Sequence, residues 1–467
     1  MLGLSQVVIA VLNLGKQKVI AHYTGTTGMG VLSLVNGFLF LLYTLGTFAI
    51  YSAVTRSISD YSARKDNEKC NAVAQAAAWW LTRIVLLSVM GVLLLAPWST
   101  KILHPMISPW LFFWLVIPLP LYAIGNLWLA ELKGLQEFRK VVCFLISSSV
   151  TLLLCTLILV WKWNVTGLVL SLSMGTVTFM ISGWIFRPNL SHWPLKKDTE
   201  VLVPLVQYSG VVLTTNLLIY GTQYLIRWET VRTLGLDANG LVQSVLFFGV
   251  YFMMVQESIN TYLFPKLSGL EKAEERHPEL QRAVRWTGLM CLSGAIVLIL
   301  WIEPLTRMLL SKDFLPIKEF VAPLLLGEVL RVMCWIMGID FLAQNRMKVN
   351  FWLNVVYVAL LTGGVFWGMH QYGLQGFAWA YLAAHAVYVL LNLGLLFYTS
   401  RFKLNYRNTL MIITGLIMTG LITFVRGLPW GLFWGWIPVA VWIILFVEPM
   451  EWSLAKDKWM RWRNSTQ

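Results

Sequence analysis

Asn216, Tyr220, Gln223 and Arg227 recur at i, i+4, i+7 and i+11, a spacing that places them on one face of a helix, with Tyr224 beside them. The surrounding sequence is apolar, so turning this face to lipid would be costly. It should meet a cavity or another helix. Amide and phenol groups hydrogen-bond sugar hydroxyls, aromatic rings stack on sugar faces, and a guanidinium grips phosphate with two parallel bonds. The stripe therefore suits an anionic, hydroxylated ligand; the alternative is interhelical hydrogen bonding that holds the bundle together. A similar face lies near the start of the chain, where Gln6, Asn13 and Gln17 align and Lys16 sits about 60° away on the wheel. Lys18 points elsewhere on a regular helix, about 140° from Asn13, so geometry favours Lys16 as the cavity cation. Either lysine could instead snorkel to headgroups.

Two further groups of charged residues fall inside apolar stretches. Glu328 and Arg331, three apart, can neutralise one another, with Trp335 one turn on and Asp340 toward the inner end of the same span. They read either as a packing ion pair or as a pair that exchanges partners or takes a proton during switching. Glu257, fourteen residues after Gln243 and on its face if the helix is continuous, is the most isolated mid-span acid and a candidate proton or cation site. No Walker-type phosphate loop, H-E-x-x-H, C-x-x-C or nucleophile elbow is present, and six scattered histidines suggest no metal site. Neither a cofactor nor enzyme chemistry is expected.

These residues must be carried by membrane helices. Hydrophobic residues make up 58% of the chain and charged residues 12%, with a mean hydropathy of +0.68, which excludes an ordinary soluble domain. Apolar stretches of spanning length fall at 2–22, 30–54, 73–96, 108–130, 141–161, 166–186, 204–230, 239–263, 286–304, 319–342, 349–369, 375–398, 409–425 and 430–447. The fold class is an all-α integral membrane protein of about fourteen helices. The formal charge of +14 is a topology signal rather than a nucleic-acid footprint: with the N-terminus inside, roughly two-thirds of the Lys and Arg lie in inner segments. Examples are Arg64, Lys65, Arg139, Lys140, Lys196, Lys197, Arg276, Arg282 and the tail from Lys456 to Arg463. The expected location is a bacterial inner membrane with both termini cytoplasmic. The five cysteines give no disulfide framework.

The two halves of the chain repeat. Gln6, Asn13, Gly25, Gly30 and Arg56 return as Asn216, Gln223, Gly235, Gly240 and Lys266, each 210 positions later. Gln136, Lys140 and Gly167 return as Gln344, Lys348 and Gly376 with the offset slipping by one or two. Such a duplication implies two bundles rocking about a shared cavity. It sets an N-lobe at 1–190, a cytoplasmic linker at 191–203, a C-lobe at 204–400, and an appended helix pair with a basic tail at 401–467. At the 208-residue offset of Gln136 and Gln344, Glu328 and Arg331 fall opposite Pro120 and Ala123, so the charged pair is not duplicated.

The segments GKQKVIAHYTGTTGMG (15–30), AELKGLQEFRK (130–140), INTYLFPKLSGLEK (259–272), LLSKDF followed by GEVLRVMCWIMGIDFLAQNRMK (309–348) and YGLQGFAWAYLAAHAVYVLL (372–391) are together similar to bacterial lipid-linked oligosaccharide flippases. The subgroup resembled is the O-antigen and enterobacterial-common-antigen translocases (Wzx type), of the MOP superfamily that includes the MATE drug exporters. The resemblance implies movement of an undecaprenyl-pyrophosphate-linked oligosaccharide from the cytoplasmic to the periplasmic leaflet, in surface polysaccharide synthesis. The partners it implies are membrane lipids, a polysaccharide polymerase and a chain-length regulator, with H+ or Na+ as coupling ion. In the family pattern the lysine before V-I-A is Lys18, whereas the wheel favours Lys16, and both stand. Arg227, Glu328 and Arg331 match charged positions of close relatives, Glu328 in place of an Asp and Asn36 in place of a basic residue. Two alternatives are a MATE-like drug antiporter, whose cavity should be acidic, and a polymerase or ligase, which should present a large outer loop.

Overall fold

A computed structural model describes residues 2–105, 109–116, 118–190, 195, 197–270, 272–425 and 436–446, with side chains from Val8 onward except at residues 99, 102, 109 and 425. The side chain of Gln6, Lys196, the connection around Pro429 and the basic tail lie outside the described residues.

Every regular element among the described residues is helical, as a chain that must satisfy its backbone inside lipid requires. Three helices are too long for one crossing: α1 (Leu2–Gly46), α7 (Phe138–Ile185) and α14 (Met347–Ser400). Each contains one residue with positive φ partway along: Gly25 (φ 62°, ψ −159°), Asn164 (φ 47°, ψ −124°) and Gly373 (φ 62°, ψ −139°). In α7 and α14 the chain reverses there. A Cβ on Gly167 would lie 1.9 Å from the carbonyl oxygen of Leu159, and one on Gly376 would lie 1.9 Å from that of Gly368, although the paired residues are eight apart in sequence. Asparagine is, after glycine, among the residue types that most often take a positive φ. Asn164-Val165-Thr166 matches the pattern of a glycosylation signal, but the match falls in this turn.

The remaining spans are α3 (Asn67–Leu94), α5 and α6 (Pro109–Val116, Leu119–Gly134), α8 (Thr199–Leu234), α9 and α10 (Leu236–Phe248, Val250–Ser268), α11 (Ala273–Leu300), α13 (Val321–Ala343) and α15 (Tyr406–Val425). α2 (Tyr51–Ala63), α4 (Ser99–Ile102), α12 (Ile302–Leu309) and α16 (Trp436–Phe446) are shorter. Nine described helices pass a length and hydropathy test for crossing, and α9 with α10 forms one further bent span.

Helix ends follow local chemistry. Asp66 caps α3 through the Lys69 amide at 3.0 Å, and Asp198 caps α8 through the amide of Glu200 at 3.1 Å. Gln136 and Asn345 close α6 and α13 in the left-handed conformation, φ 58° and 56°. These two, like Asn164 and Gly373, are 209 residues apart, which sets the register of the later repeat. It places Leu119 and Tyr122, rather than Pro120 and Ala123, opposite Glu328 and Arg331. It also places Glu131 opposite Asp340; both are acids, 0% and 2% exposed.

The chain divides into two compact units, Met1–Ser244 with Thr306–Leu315, and Val245–Leu305 with Pro316–Gln467. In the first, α1 packs on α7 and α8, and α6 on α2 and α7; in the second, α13 packs on α10, α11 and α14, and α15 and α16 pack on α11. α8, which the repeat assigns to the second lobe, makes its contacts in the first unit.

Candidate functional site

In the first unit, Gly235 (φ 90°) ends α8 as Gly25 ends the first arm of α1, and the arms that follow meet backbone to backbone. A Cβ on Gly30 would lie 2.0 Å from the Leu236 carbonyl oxygen, and one on Gly240 would lie 2.0 Å from that of Thr26. Leu236 is Thr26 plus 210, so each glycine meets the repeat partner of the residue that the other meets. Around this crossing the hydroxyls of Thr26 and Thr27 both donate to Asp237, at 2.7 and 2.6 Å. The Asn239 amide donates to the Gly30 carbonyl at 2.9 Å, and Ser33 donates to Gln243 at 3.0 Å. Together they form a clasp about a local two-fold.

Below the clasp the α8 stripe faces the second arm of α1. Arg227 donates to the Ser33 carbonyl at 3.3 Å, and its guanidinium occupies the space a side chain at residue 37 would fill: a Cβ on Gly37 would be 2.9 Å from Nη1. Tyr220 stacks on Phe40 with centroids 5.8 Å apart and planes 18° apart, and Tyr224 lies 6.1 Å from Phe38. Asn216 is half-buried and Gln223 is exposed. The structure therefore joins Tyr220, Tyr224 and Arg227 to one another through α1, while Gln223 stays open. Phe38 and Phe40 do not stand out in the sequence; an aromatic in an apolar run has no polar signal to mark it. On the first arm, Asn13 and Lys16 are half-buried and Lys18 is exposed. Lys16 has no ion-pair partner among the described residues, and the adjacent Gln17 has a buried Oε1 without a hydrogen-bond partner there.

The second unit holds the acidic candidates. Arg331 donates to one oxygen of Glu328 from Nη2 at 2.8 Å and from Nε at 3.1 Å. Tyr381 donates to the other oxygen. Gln256 accepts from Arg331 at 3.5 Å, and His385 bridges Tyr357 at 2.9 Å and the Tyr381 carbonyl at 2.8 Å. The pair is thus the centre of a buried polar network spanning α10, α13 and α14. Only Glu328 and Arg331 among its members stand out in the sequence. Trp335, one turn on, is exposed. Asp340 belongs to a separate buried bridge, with Arg276 Nε at 3.1 Å and Gln344 as second donor. Arg276, which reads in the sequence as a loop cation, stands inside α11, which begins thirteen residues before the apolar stretch that marks it.

The face expected to join Gln243 and Glu257 is broken. α9 ends at Phe248 and α10 starts at Val250, with a 41° bend at Gly249, so a helical phase counted from Gln243 does not carry to residue 257. Glu257 is exposed, and its neighbour Gln256 is the buried group.

The fold matches solved transporters along nearly its whole length. The lipid II flippase MurJ in an inward closed conformation superposes with a TM-score of 0.75, covering 95% of this chain and 96% of that one at 15% identity. An inward-facing multidrug resistance MATE family transporter of the MOP superfamily gives 0.69 over 90% and 98% at 10% identity. The fold is the one these two transporters share. Residues 1–202 also match the family described as polysaccharide biosynthesis protein. The lipid III flippases of Escherichia coli (strain K12) and Shigella flexneri are each 22% identical over 383 residues, covering 81% of this chain and 92% of theirs. The apolar helices described above are those of a multi-pass membrane protein.

Proposed function

We propose that this chain flips a lipid-linked oligosaccharide, joined to its polyprenyl carrier through pyrophosphate, from the cytoplasmic to the periplasmic leaflet of a bacterial inner membrane. The observation that carries the reading is Arg227 beside Tyr224 at Gly37 of α1, on the helix face that also pairs Tyr220 and Tyr224 with Phe40 and Phe38, in a chain 22% identical over 81% of its length to lipid III flippases. A guanidinium recognises a phosphate, aromatic faces recognise sugar rings, and amides such as Asn216 and Gln223 recognise hydroxyls. Lys16, with Asn13 on the same arm, supplies a second cation, and Lys18 a third nearer the headgroups. The polyprenyl tail remains in lipid, so the protein shields only the polar head from hydrocarbon. It acts as a transporter rather than an enzyme.

Switching is assigned to two places. Opening the outer side requires the Thr26, Thr27 and Asp237 clasp to part. In the second unit, Glu328 and Arg331 exchange partners within their network as the cavity turns, and Asp340 with Arg276 fixes the inner ends of α13 and α11. A proton or Na+ is the proposed coupling ion, and a polymerase with a chain-length regulator the proposed consumers of product.

Binding tests the reading. The purified protein should retain an undecaprenyl-pyrophosphate oligosaccharide in native mass spectrometry, and Arg227→Ala should weaken this by more than tenfold while the fold persists. Equal retention of a hydrophobic organic cation, unaffected by Arg227→Ala, would favour the drug-antiporter reading instead.

A further inference from the structure

α10 and α11 are tied at two ends and open between. At one end Tyr251 Oη donates to the Met290 carbonyl at 3.3 Å, its ring lying on Gly294. At the other, Lys266 reaches Glu279 at 2.8 Å and donates to Tyr262 Oη at 2.7 Å. Between the ties runs a groove of about 480 Å³ walled by Met254, Val255, Ile259, Trp286 and Met290. Tyr262 and Met290 remain 57% and 41% exposed, so the groove opens laterally.

The two ends of this groove differ in charge. Arg282 also reaches Glu279, at 3.3 Å, so two cations share one carboxylate and the mouth carries a net positive charge. Arg282 is 53% exposed and has guanidinium N–H groups directed beyond that pair. From Tyr251 to Tyr262 the groove covers about 16 Å along α10 at 1.5 Å per residue, one leaflet of a hydrocarbon core about 30 Å thick. A slot with apolar walls, one leaflet long, closed at one end and cationic at the other, complements a single aliphatic chain beneath an anionic head.

We propose that this groove holds an anionic glycerophospholipid, its phosphate at Arg282 and Lys266 and one acyl chain lying against Trp286 and Met290. The site is separate from the Arg227 face and does not rest on the flipping assignment. A resident lipid there fills the space between α10 and α11, on the side of α10 away from its packing on α13.

The test uses the full chain in neutral detergent, titrated with phosphatidylglycerol or phosphatidylcholine, with adduct retention by native mass spectrometry and thermal unfolding as readouts. Phosphatidylglycerol should be retained preferentially and raise the unfolding temperature. Arg282→Gln leaves the Lys266 to Glu279 tie in place and should weaken phosphatidylglycerol about fivefold, the effect expected of one interfacial cation, without changing phosphatidylcholine. Ser258→Trp, which fills the groove and keeps the charges, should abolish retention of both. Equal retention of the two lipids by the wild type, or wild-type retention by either variant, overturns the proposal. So does displacement of phosphatidylglycerol by equimolar undecaprenyl phosphate, which would give the groove to the transported lipid, or an adduct with the mass of a second copy of this chain.

Discussion

Arg227 has its guanidinium over Gly37 and its hydrogen bond at the Ser33 carbonyl, so its role can be separated from packing by two substitutions. Arg227→Lys keeps the charge but loses the planar fork that binds phosphate with two bonds; transport should fall about tenfold, whereas Arg227→Ala should abolish it. Cell-surface glycan measured at matched protein levels reads both. Glu328 presents a different problem. Glu328→Gln leaves Arg331 with no carboxylate in a buried network, and should cost about 2 kcal/mol, below the full buried-pair penalty because Arg331 is partly exposed. Glu328→Gln with Arg331→Met should recover that stability in thermal unfolding yet remain inactive if the pair drives switching. Full activity of the double variant would reduce the pair to a packing device. The α8 stripe is legible in the sequence because polar residues in an apolar run are costly and therefore informative. Its aromatic partners are not, since Phe38 and Phe40 look the same whether they face lipid, a helix or a ligand.

At the level of elements, hydropathy locates the spans but not their ends or reversals. It records the part of a helix in hydrocarbon, so α11 with its charged first turns, and Arg276 within them, reads as loop. The turn at Asn164 is hidden behind a different motif, and the break at Gly249 behind a continuous apolar run. A single break is enough to invalidate a phase carried over fourteen residues, as between Gln243 and Glu257. The glycines are more legible: Gly30 and Gly240 repeat because their backbones approach where no side chain fits. Gly30→Val should therefore part the clasp. A cysteine placed at Thr27 should then react faster with a membrane-impermeant maleimide added from the periplasmic side, and Asp237→Ala should accelerate it too, by severalfold. No change in labelling with either variant would remove the clasp from the switching account.

For the whole molecule, the 210-residue repeat implies a two-bundle transporter, and the superposition on MOP transporters agrees with it in fold. The structure adds how the repeat is used. The first unit takes α8 and the start of α9 from the second half of the sequence, and concentrates the aromatic and cationic face; the second unit carries the buried network and the two added helices. If, as proposed, recognition centres on Arg227 and switching on Glu328, the two functions fall on different units and should separate genetically, with substitutions around Arg227 altering binding and substitutions around Glu328 altering turnover. The most direct measurement is flipping itself, in vesicles reconstituted with the purified chain and a fluorescent pyrophosphate-linked oligosaccharide on a short polyprenyl carrier. The account predicts that wild-type protein exposes the glycan to an enzyme confined to the opposite side, and that Arg227→Ala protein at the same density does not. Exposure by Arg227→Ala at the wild-type rate, or none by the wild type with either a proton or a Na+ gradient applied, would contradict it.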